Sequence, residues 1–161
     1  MAISKEKILE DLKQKFSDNI LDITVQFGDD IIRIKKEVLL DIVSFLKNDP
    51  YAFTMLLDLT CVDYMGDEER YEMVYHLFSL SHKLRLRFKT RLQENDCKID
   101  SLTPIFKNAN WLEREAYDMF GVHFSGHPYL RRLFMYDGFE GHPLRKDYPL
   151  RKQQPKIQLR K

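Results

Sequence analysis

Residues 83–91, with the sequence K-L-R-L-R-F-K-T-R, alternate strictly between basic side chains and the series Leu, Leu, Phe, Thr. This period of two predicts a β-strand with one buried face and a Lys/Arg face in water. Residues 71–80 precede it and complete a predicted hairpin. Residues 20–27 and 32–34 flank Gly28-Asp29-Asp30 and predict a second hairpin. Such strands require a layer that covers their apolar face.

That layer is predicted to be helical. Residues 4–16 and 36–47 carry apolar side chains at helical spacing, and Asn48-Asp49-Pro50 ends the second segment. Two further helices are predicted at about 103–109 and 111–120, whereas residues 53–63 fit either a helix turn or a buried strand. The fold class is therefore α+β, a mainly antiparallel sheet flanked by helices on one or both faces.

Composition restricts the class of protein. The 161 residues suit one ordinary domain, and no apolar run approaches the roughly 20 residues that span a bilayer. The start of the chain has no apolar stretch typical of an export signal. Cys61 and Cys97 are too few for a disulfide scaffold or an iron–sulfur cluster, so we expect buried thiols in a reducing compartment.

The pattern changes after residue 120 to a long irregular segment that keeps large apolar side chains. We predict an α+β globular domain at 1–120 and an extended C-terminal segment at 121–161. From composition alone, residues 121–150 either wrap their own domain or dock on a partner. Residues 131–161 carry nine basic and three acidic residues, whereas the rest carries 17 and 22. A basic segment can bind nucleic acid, a membrane surface or an acidic protein groove, and its prolines and aromatics favour the groove.

The predicted helix at 111–120 holds a cluster of charges at Glu113, Arg114, Glu115 and Asp118. Arg114 and Asp118 are four residues apart and are predicted to form an ion pair on one face. Clustered carboxylates can also serve as general acid and base, but no nucleophile or phosphate-binding loop accompanies them. We therefore favour a structural ion-pair cluster.

Three histidines, His123, His127 and His142, raise the question of a metal site. Gly121 and the Gly-His-Pro sequence at 126–128 are incompatible with a regular helix that holds His123 and His127 on one face. A His before Pro is restricted to extended geometry, so His127 and His142 are predicted to fix turns through ring hydrogen bonds. Paired basic residues follow each turn, and arginine's planar fork suits carboxylates at an interface. These residues are Arg131, Arg132, Arg145 and Lys146.

Two blocks in this region carry a family resemblance. The first is Glu113-Arg114-Glu115-x-x-Asp118-Met119-Phe120, followed after six residues by His127-x-x-x-Arg131. The second runs from Gly141 to Pro149, G-H-P-L-R-K-D-Y-P. Together they resemble the thirty-kilodalton subunit family of respiratory complex I, which is the C subunit of bacterial NADH:quinone oxidoreductase. The detailed similarity covers about 111–150, and the order of upstream elements agrees more loosely.

The resemblance implies a non-catalytic subunit of the peripheral arm, on the cytoplasmic side of a bacterial inner membrane or an organellar equivalent. Such a subunit braces the large quinone-site subunit beside the subunit of the terminal cluster. FMN and iron–sulfur clusters belong to partner subunits, so no catalytic, cofactor or metal residue is expected here. Related hydrogenase or plastoquinone-linked complexes use similar small subunits, which leaves donor and quinone open. The implied partner-docking residues are Arg131, Arg132, His142, Arg145, Lys146 and Tyr148, and the structural motif is Glu113, Arg114, Glu115, Asp118 and His127.

Two other classes compete with this interpretation. A small free-standing enzyme would use Glu113, Glu115 and His127. A nucleic-acid-binding module would act through the paired basic residues and would bind with a steep salt dependence. The resemblance implies neither nucleic acid nor direct membrane contact, and any membrane association would be indirect, through the complex.

Overall fold

A computed structural model of the chain describes residues 3–156. Its three helices are α1 (Lys5–Phe16), α2 (Leu39–Lys47) and α3 (Ala109–Phe120). Its strands are β1 (Ile20–Gln26), β2 (Asp29–Ile34), β3 (Met55–Asp63), β4 (Tyr71–Ser79), β5 (Leu84–Leu92), β6 (Lys98–Asp100) and β7 (His123–Ser125). Short 3-10 turns precede β1 and α2. The predicted α+β class is confirmed.

The main sheet has five strands in the order β1-β2-β5-β4-β3. Its pairs are antiparallel except β2 and β5, which run parallel. Both predicted hairpins form, and the undecided segment at 53–63 is the edge strand β3. The parallel pairing joins the two hairpins across more than fifty residues of sequence, which period-two patterns do not specify.

The three helices share one core with one face of the sheet. Leu86, Phe88 and Leu92 of β5 are buried in that core together with Leu12 of α1 and Ile42 of α2. The alternate residues of β5 point to the other face, where Arg87 pairs with Asp29 and Lys89 pairs with Glu72. The strict alternation at 83–91 therefore separates an apolar core from a charged sheet face.

The prediction of a helix at about 103–109 is wrong. Ser101 Oγ lies 2.7 Å from Thr103 Oγ1 and accepts a bond from the Thr103 amide at 3.1 Å. Such local side-chain bonds compete with a helix, and the chain forms turns until α3 begins at Ala109. Asn108 bonds to β3 rather than capping the helix, since its Nδ2 donates to the Leu56 carbonyl at 2.8 Å.

Strand β6 precedes α3 and strand β7 follows it, and the two strands pair in parallel. No sequence pattern predicts this pairing. Strand β7 lies at the start of the predicted C-terminal segment, residues 121–161. Beyond it, residues 126–156 contain no helix or strand. None of the helices within residues 3–156 has the length and hydropathy needed to cross a bilayer.

Candidate functional site

Asp118 forms the centre of the charged motif on α3. It is fully buried, and its Oδ2 accepts bonds from three successive amides, those of Leu133 (2.9 Å), Phe134 (2.7 Å) and Met135 (2.9 Å). Its Oδ1 accepts a bond from Arg132 Nη1 at 2.7 Å. Burial would raise the pKa of Asp118, but these four donors outweigh it and hold the pKa below its ordinary value. An ionised Asp118 therefore holds residues 132–135 against α3.

The predicted ion pair between Arg114 and Asp118 does not form. Arg114 instead donates through Nε to the Arg131 carbonyl and through Nη2 to the Arg132 carbonyl, both at 3.1 Å. Spacing of i,i+4 brings the two side chains to neighbouring positions, but Asp118 pairs with Arg132, which approaches from the C-terminal segment. Arg114 and Asp118 thus hold the same stretch of chain from two positions one helical turn apart.

Glu113 contacts a different part of the chain, the turn after β6. It is fully buried, and it accepts bonds from Ser101 Oγ and from the Leu102 amide, both at 2.6 Å. Burial raises its pKa to about 7, and these two donors only partly oppose the shift. Glu113 therefore ties the turn after β6 to α3. Glu115 differs from the other three, since it is exposed and has no hydrogen-bond or ion-pair partner among residues 3–156.

The histidines of the two Gly-His-Pro sequences lie in turns and bond to the backbone. His127 accepts a bond from the Tyr129 amide at Nδ1 (3.0 Å), so its Nε2 carries the proton that is shared with the Asn110 carbonyl at 3.2 Å. His142 Nδ1 lies 3.0 Å from the Asp118 carbonyl. Burial lowers the pKa of both rings, which favours their neutral form at pH 7.

Gly121 ends α3 in the left-handed conformation, with φ of +81°. A Cβ at this position would lie 2.5 Å from Arg145 Nη2 and 2.7 Å from His142 Nε2. Arg145 Nε donates to the Phe120 carbonyl at 2.6 Å. The absence of a side chain at Gly121 therefore lets both residues reach the exposed carbonyls at the C-terminal end of the helix.

The contacts of Asp118 are one anchor of the C-terminal segment. A second anchor lies at the end of the sheet, and no sequence pattern predicts it. Arg70 is buried and binds Asp63 with two bonds of 2.8 Å. The same guanidinium contacts Asp147 (2.6 and 3.2 Å) and Glu94 (2.7 Å). Asp63 also accepts a bond from the Lys146 amide at 2.8 Å. Arg70 lowers the pKa of Asp63 and of Asp147. No periodicity marks Arg70 in the sequence, although Asp147 lies within the second motif block.

The six implied docking residues fall into two groups. Arg132, His142 and Arg145 contact their own chain as described above, and the Tyr148 ring stacks on Phe139 with centroids 6.1 Å apart. Arg131 and Lys146 carry exposed side chains. Arg160 and Lys161, which contribute to the basic excess, lie outside the described residues.

Neither cysteine is set up as a nucleophile. Cys61 is buried in β3 and Cys97 is half-buried. Burial raises the pKa of both thiols, that of Cys97 to about 11, so both are protonated at neutral pH. Within residues 3–156 no cluster of His, Cys, Asp and Glu could hold a metal ion.

Similar proteins of known family identify the family of this chain. Residues 32–154 match the sequence profile described as "Respiratory-chain NADH dehydrogenase, 30 Kd subunit", which is more than half of the chain. The chain belongs to this family. The family resemblance inferred from the two motif blocks is thereby confirmed, and the matched range contains both blocks and both anchors described above.

Individual members of the family agree over nearly the whole chain. The C subunit of NADH-quinone oxidoreductase from Citrifermentans bemidjiense is 48% identical over 139 residues, 86% of each chain. The Geobacter sulfurreducens protein of the same name is 45% identical over 151 residues, 93% of this chain and 92% of that one.

Two solved structures share the fold. The trypsin-resistant fragment (1-134) of Nqo5 is 30% identical with a TM-score of 0.64, and the match covers 78% of this chain and 98% of the fragment. A chain of an archaeal respiratory membrane complex, the membrane-bound sulfane sulfur reductase, has a TM-score of 0.74 and 24% identity. That second match covers 90% of this chain and 85% of the other, and it concerns the fold alone.

Proposed function

We propose that this chain is the C subunit of a proton-pumping NADH:quinone oxidoreductase and works in its peripheral arm. The high identity to proteins of that name, over nearly the whole length of both chains, supports the assignment. The complex would transfer electrons from NADH through FMN and iron–sulfur clusters to quinone. Those redox centres would belong to partner subunits, and the isolated chain would have no turnover of its own.

Within the complex, the proposed role is structural. The observation that carries this proposal is the use of the motif charges: Glu113, Arg114 and Asp118 each hold another part of the chain in place. Glu113 and Asp118 are both fully buried and accept their hydrogen bonds from their own chain, so neither carboxylate faces a substrate at the surface. The buried motif therefore fixes the position of the chain segments around α3. We infer that the surface of these segments braces the large quinone-site subunit beside the subunit of the terminal cluster.

The C-terminal segment, residues 121–161, is the proposed means of docking. Its backbone is held against the domain up to Lys146, and Phe134 and Leu144 within this part have exposed side chains. Leu150, just beyond it, is 98% exposed. Apolar side chains on an anchored backbone lose little conformational entropy on binding. Of the six docking residues, Arg131 and Lys146 are available for direct contact, while the other four shape the segment.

The fold alone does not specify an electron acceptor, because a chain of similar fold belongs to an archaeal sulfane sulfur reductase. The equivalent subunit of a related hydrogenase or plastoquinone-linked complex is therefore the alternative. Membrane association would be indirect, through partner subunits on the cytoplasmic side of a bacterial inner membrane or its organellar equivalent.

A pull-down tests the assignment. The tagged full chain replaces the native copy, membranes are solubilised in mild detergent, and co-purified chains are identified by mass spectrometry. We expect the large quinone-site and terminal-cluster subunits together with NADH:quinone reductase activity, and no NADH oxidation by the purified chain alone. A chain that elutes alone would contradict the proposal, and hydrogenase-type partners would favour the alternative.

A protection experiment tests the docking role. The solved Nqo5 relative is a trypsin-resistant fragment, residues 1-134, of that protein, which motivates a trypsin experiment on this chain. We expect trypsin to cut this chain first after Arg151 or Lys152 when it is isolated, and to cut there more slowly in the complex. Equal cleavage rates in the two states would contradict docking by the segment.

A further inference from the structure

Four side chains form a continuous group that we call the Trp111 face. Trp111 and Arg114 belong to helix α3, and Tyr129 and Arg131 lie beside it in the C-terminal segment. The Arg114 guanidinium lies 4.9 Å from the centre of the Trp111 ring and 5.8 Å from that of Tyr129. Arg131 also lies over the Tyr129 ring, with its guanidinium 4.1 Å from the ring centre. Trp111 is 59% exposed and Tyr129 is 51% exposed, so the group opens to the surface.

The Trp111 face carries positive charge that the chain does not neutralise. Arg114 is only 8% exposed, yet its two hydrogen bonds go to neutral carbonyls, and no carboxylate lies within 4.0 Å of it among residues 3–156. Arg131 likewise has no acidic partner in the part of the chain that the structure describes. A buried cation without a counter-charge is costly. The pKa of His127 is lowered mainly by burial, and its hydrogen bond to the Asn110 carbonyl opposes this shift. The positive charge of Arg114 lowers the same pKa further.

The chemistry of the face fits a protein carboxylate. Trp, Tyr and Arg are the residues that dominate binding energy at protein interfaces. The Arg131 guanidinium lies over the Tyr129 ring, and its planar fork suits a bidentate carboxylate. A nucleic-acid strand or an anionic lipid surface would also meet Glu115, an exposed carboxylate one helical turn from Trp111 that repels phosphate. A partner protein can place a carboxylate at the arginines and a basic group at Glu115.

We propose that the Trp111 face is the docking site for an acidic segment of a partner subunit, whose carboxylate pairs with Arg131 and Arg114 while Trp111 packs against the same segment. This inference rests on the proposed function, because it assumes that the chain works within a complex. It assigns a contact to helix α3 and to the first part of the C-terminal segment, separate from the exposed apolar side chains at residues 134–150.

The first test uses a photo-crosslinking amino acid, p-benzoylphenylalanine, in place of Trp111 in the assembled complex. After irradiation, mass spectrometry of the purified complex identifies the attached peptide. We expect a single partner peptide with Asp or Glu close to the site of attachment, and no product when the same group replaces Phe27, which lies in the β1–β2 turn. Attachment to lipid or nucleic acid, or no attachment at all, would overturn the proposal.

The second test reverses charge at Arg131, whose side chain makes no hydrogen bond to its own chain among residues 3–156. Arg131→Glu should lower the amount of complex recovered with the chain at least about tenfold, as expected for loss of an interface arginine. Arg131→Gln should lower it less. Exchanging the crosslinked partner carboxylate for Arg should restore recovery with Arg131→Glu. Lys13→Glu, an exposed change on α1, is the matched control and should leave recovery unchanged.

The outcomes separate this inference from the proposed function. If the unmodified chain fails to co-purify with any complex, the proposed function fails. If the unmodified chain assembles and both Arg131 variants assemble equally well, only the Trp111 face is excluded as a docking site. Thermal unfolding of each variant within about 2 °C of the unmodified chain establishes that the domain is intact.

Discussion

Asp118 accepts four hydrogen bonds while fully buried, and three of them come from the backbone of residues 133–135. Asp118→Asn keeps the shape of the side chain but turns an amide NH2 toward donors and leaves Arg132 without its counter-charge. We expect the free energy of unfolding to fall by about 3 kcal/mol. Urea denaturation measures this change. Asp137→Asn, an exposed control, should change it by less than about 0.5 kcal/mol.

Glu113 gives stability a specific pH dependence. Its pKa is about 7 in the fold, compared with about 4.3 for an unfolded glutamate. The folded state holds this proton more tightly. The resulting stabilisation is complete below about pH 4 and is lost as the pH rises through 7. His127 and His142, whose pKa values are lowered, contribute stability with the opposite pH dependence.

A difference measurement isolates Glu113 from the histidines. Between pH 5 and pH 8 the unmodified chain should lose about 2.5 kcal/mol of unfolding free energy relative to Glu113→Gln, which has no proton to release. Chemical denaturation at both pH values tests this. Glu115→Gln is the control, since that exposed side chain should give the same difference at both pH values. A Glu113→Gln difference that is independent of pH would contradict a shifted Glu113.

At the scale of elements, the C-terminal end of α3 depends on the close approach of His142 and Arg145 to Gly121. Gly121 and Gly126 have nearly equal φ angles, +81° and +79°, but a Cβ would meet His142 and Arg145 only at Gly121. Gly126→Ala should cost about 1 kcal/mol from the backbone alone. Gly121→Ala should cost about 2 kcal/mol or more, because the His142 ring must also move from the Asp118 carbonyl. Thermal or urea unfolding compares the two variants, and equal losses would contradict the role of close approach.

Helices and strands differ in how far the sequence alone predicts them. Alternation at 83–91 and helical spacing at 4–16 depend on neighbours in sequence, and both elements form. The segment at 103–109 fails as a helix because Ser101 and Thr103 bond locally and Glu113 captures the Leu102 amide from a distant position. Partners far apart in sequence also decide the β2–β5 and β6–β7 pairings, which no local pattern encodes.

At the scale of the whole molecule, Arg70 connects the last part of the anchored segment to the sheet. Asp147→Ala removes one of its three carboxylates and should change the unfolding free energy by less than about 1 kcal/mol, since Asp147 is half exposed. Local opening should nevertheless increase, and trypsin should cut after Lys146 several-fold faster. Cleavage kinetics followed by mass spectrometry test this. Asp137→Ala should leave the rate unchanged, and an unchanged rate in Asp147→Ala would exclude a contribution of Asp147 to the anchor.

The family, the class of fold and the concentration of charged motifs at 111–150 follow from the order of residues alone, because motif spacing and periodicity are properties of neighbouring residues. The contacts of each charge depend instead on the packing of the folded chain. Asp118 pairs with Arg132 rather than Arg114, and Arg70 gathers carboxylates from three separate parts of the chain. A buried charge is stabilised by whichever donors the folded chain brings within about 3 Å, and that proximity depends on the packing of the whole molecule.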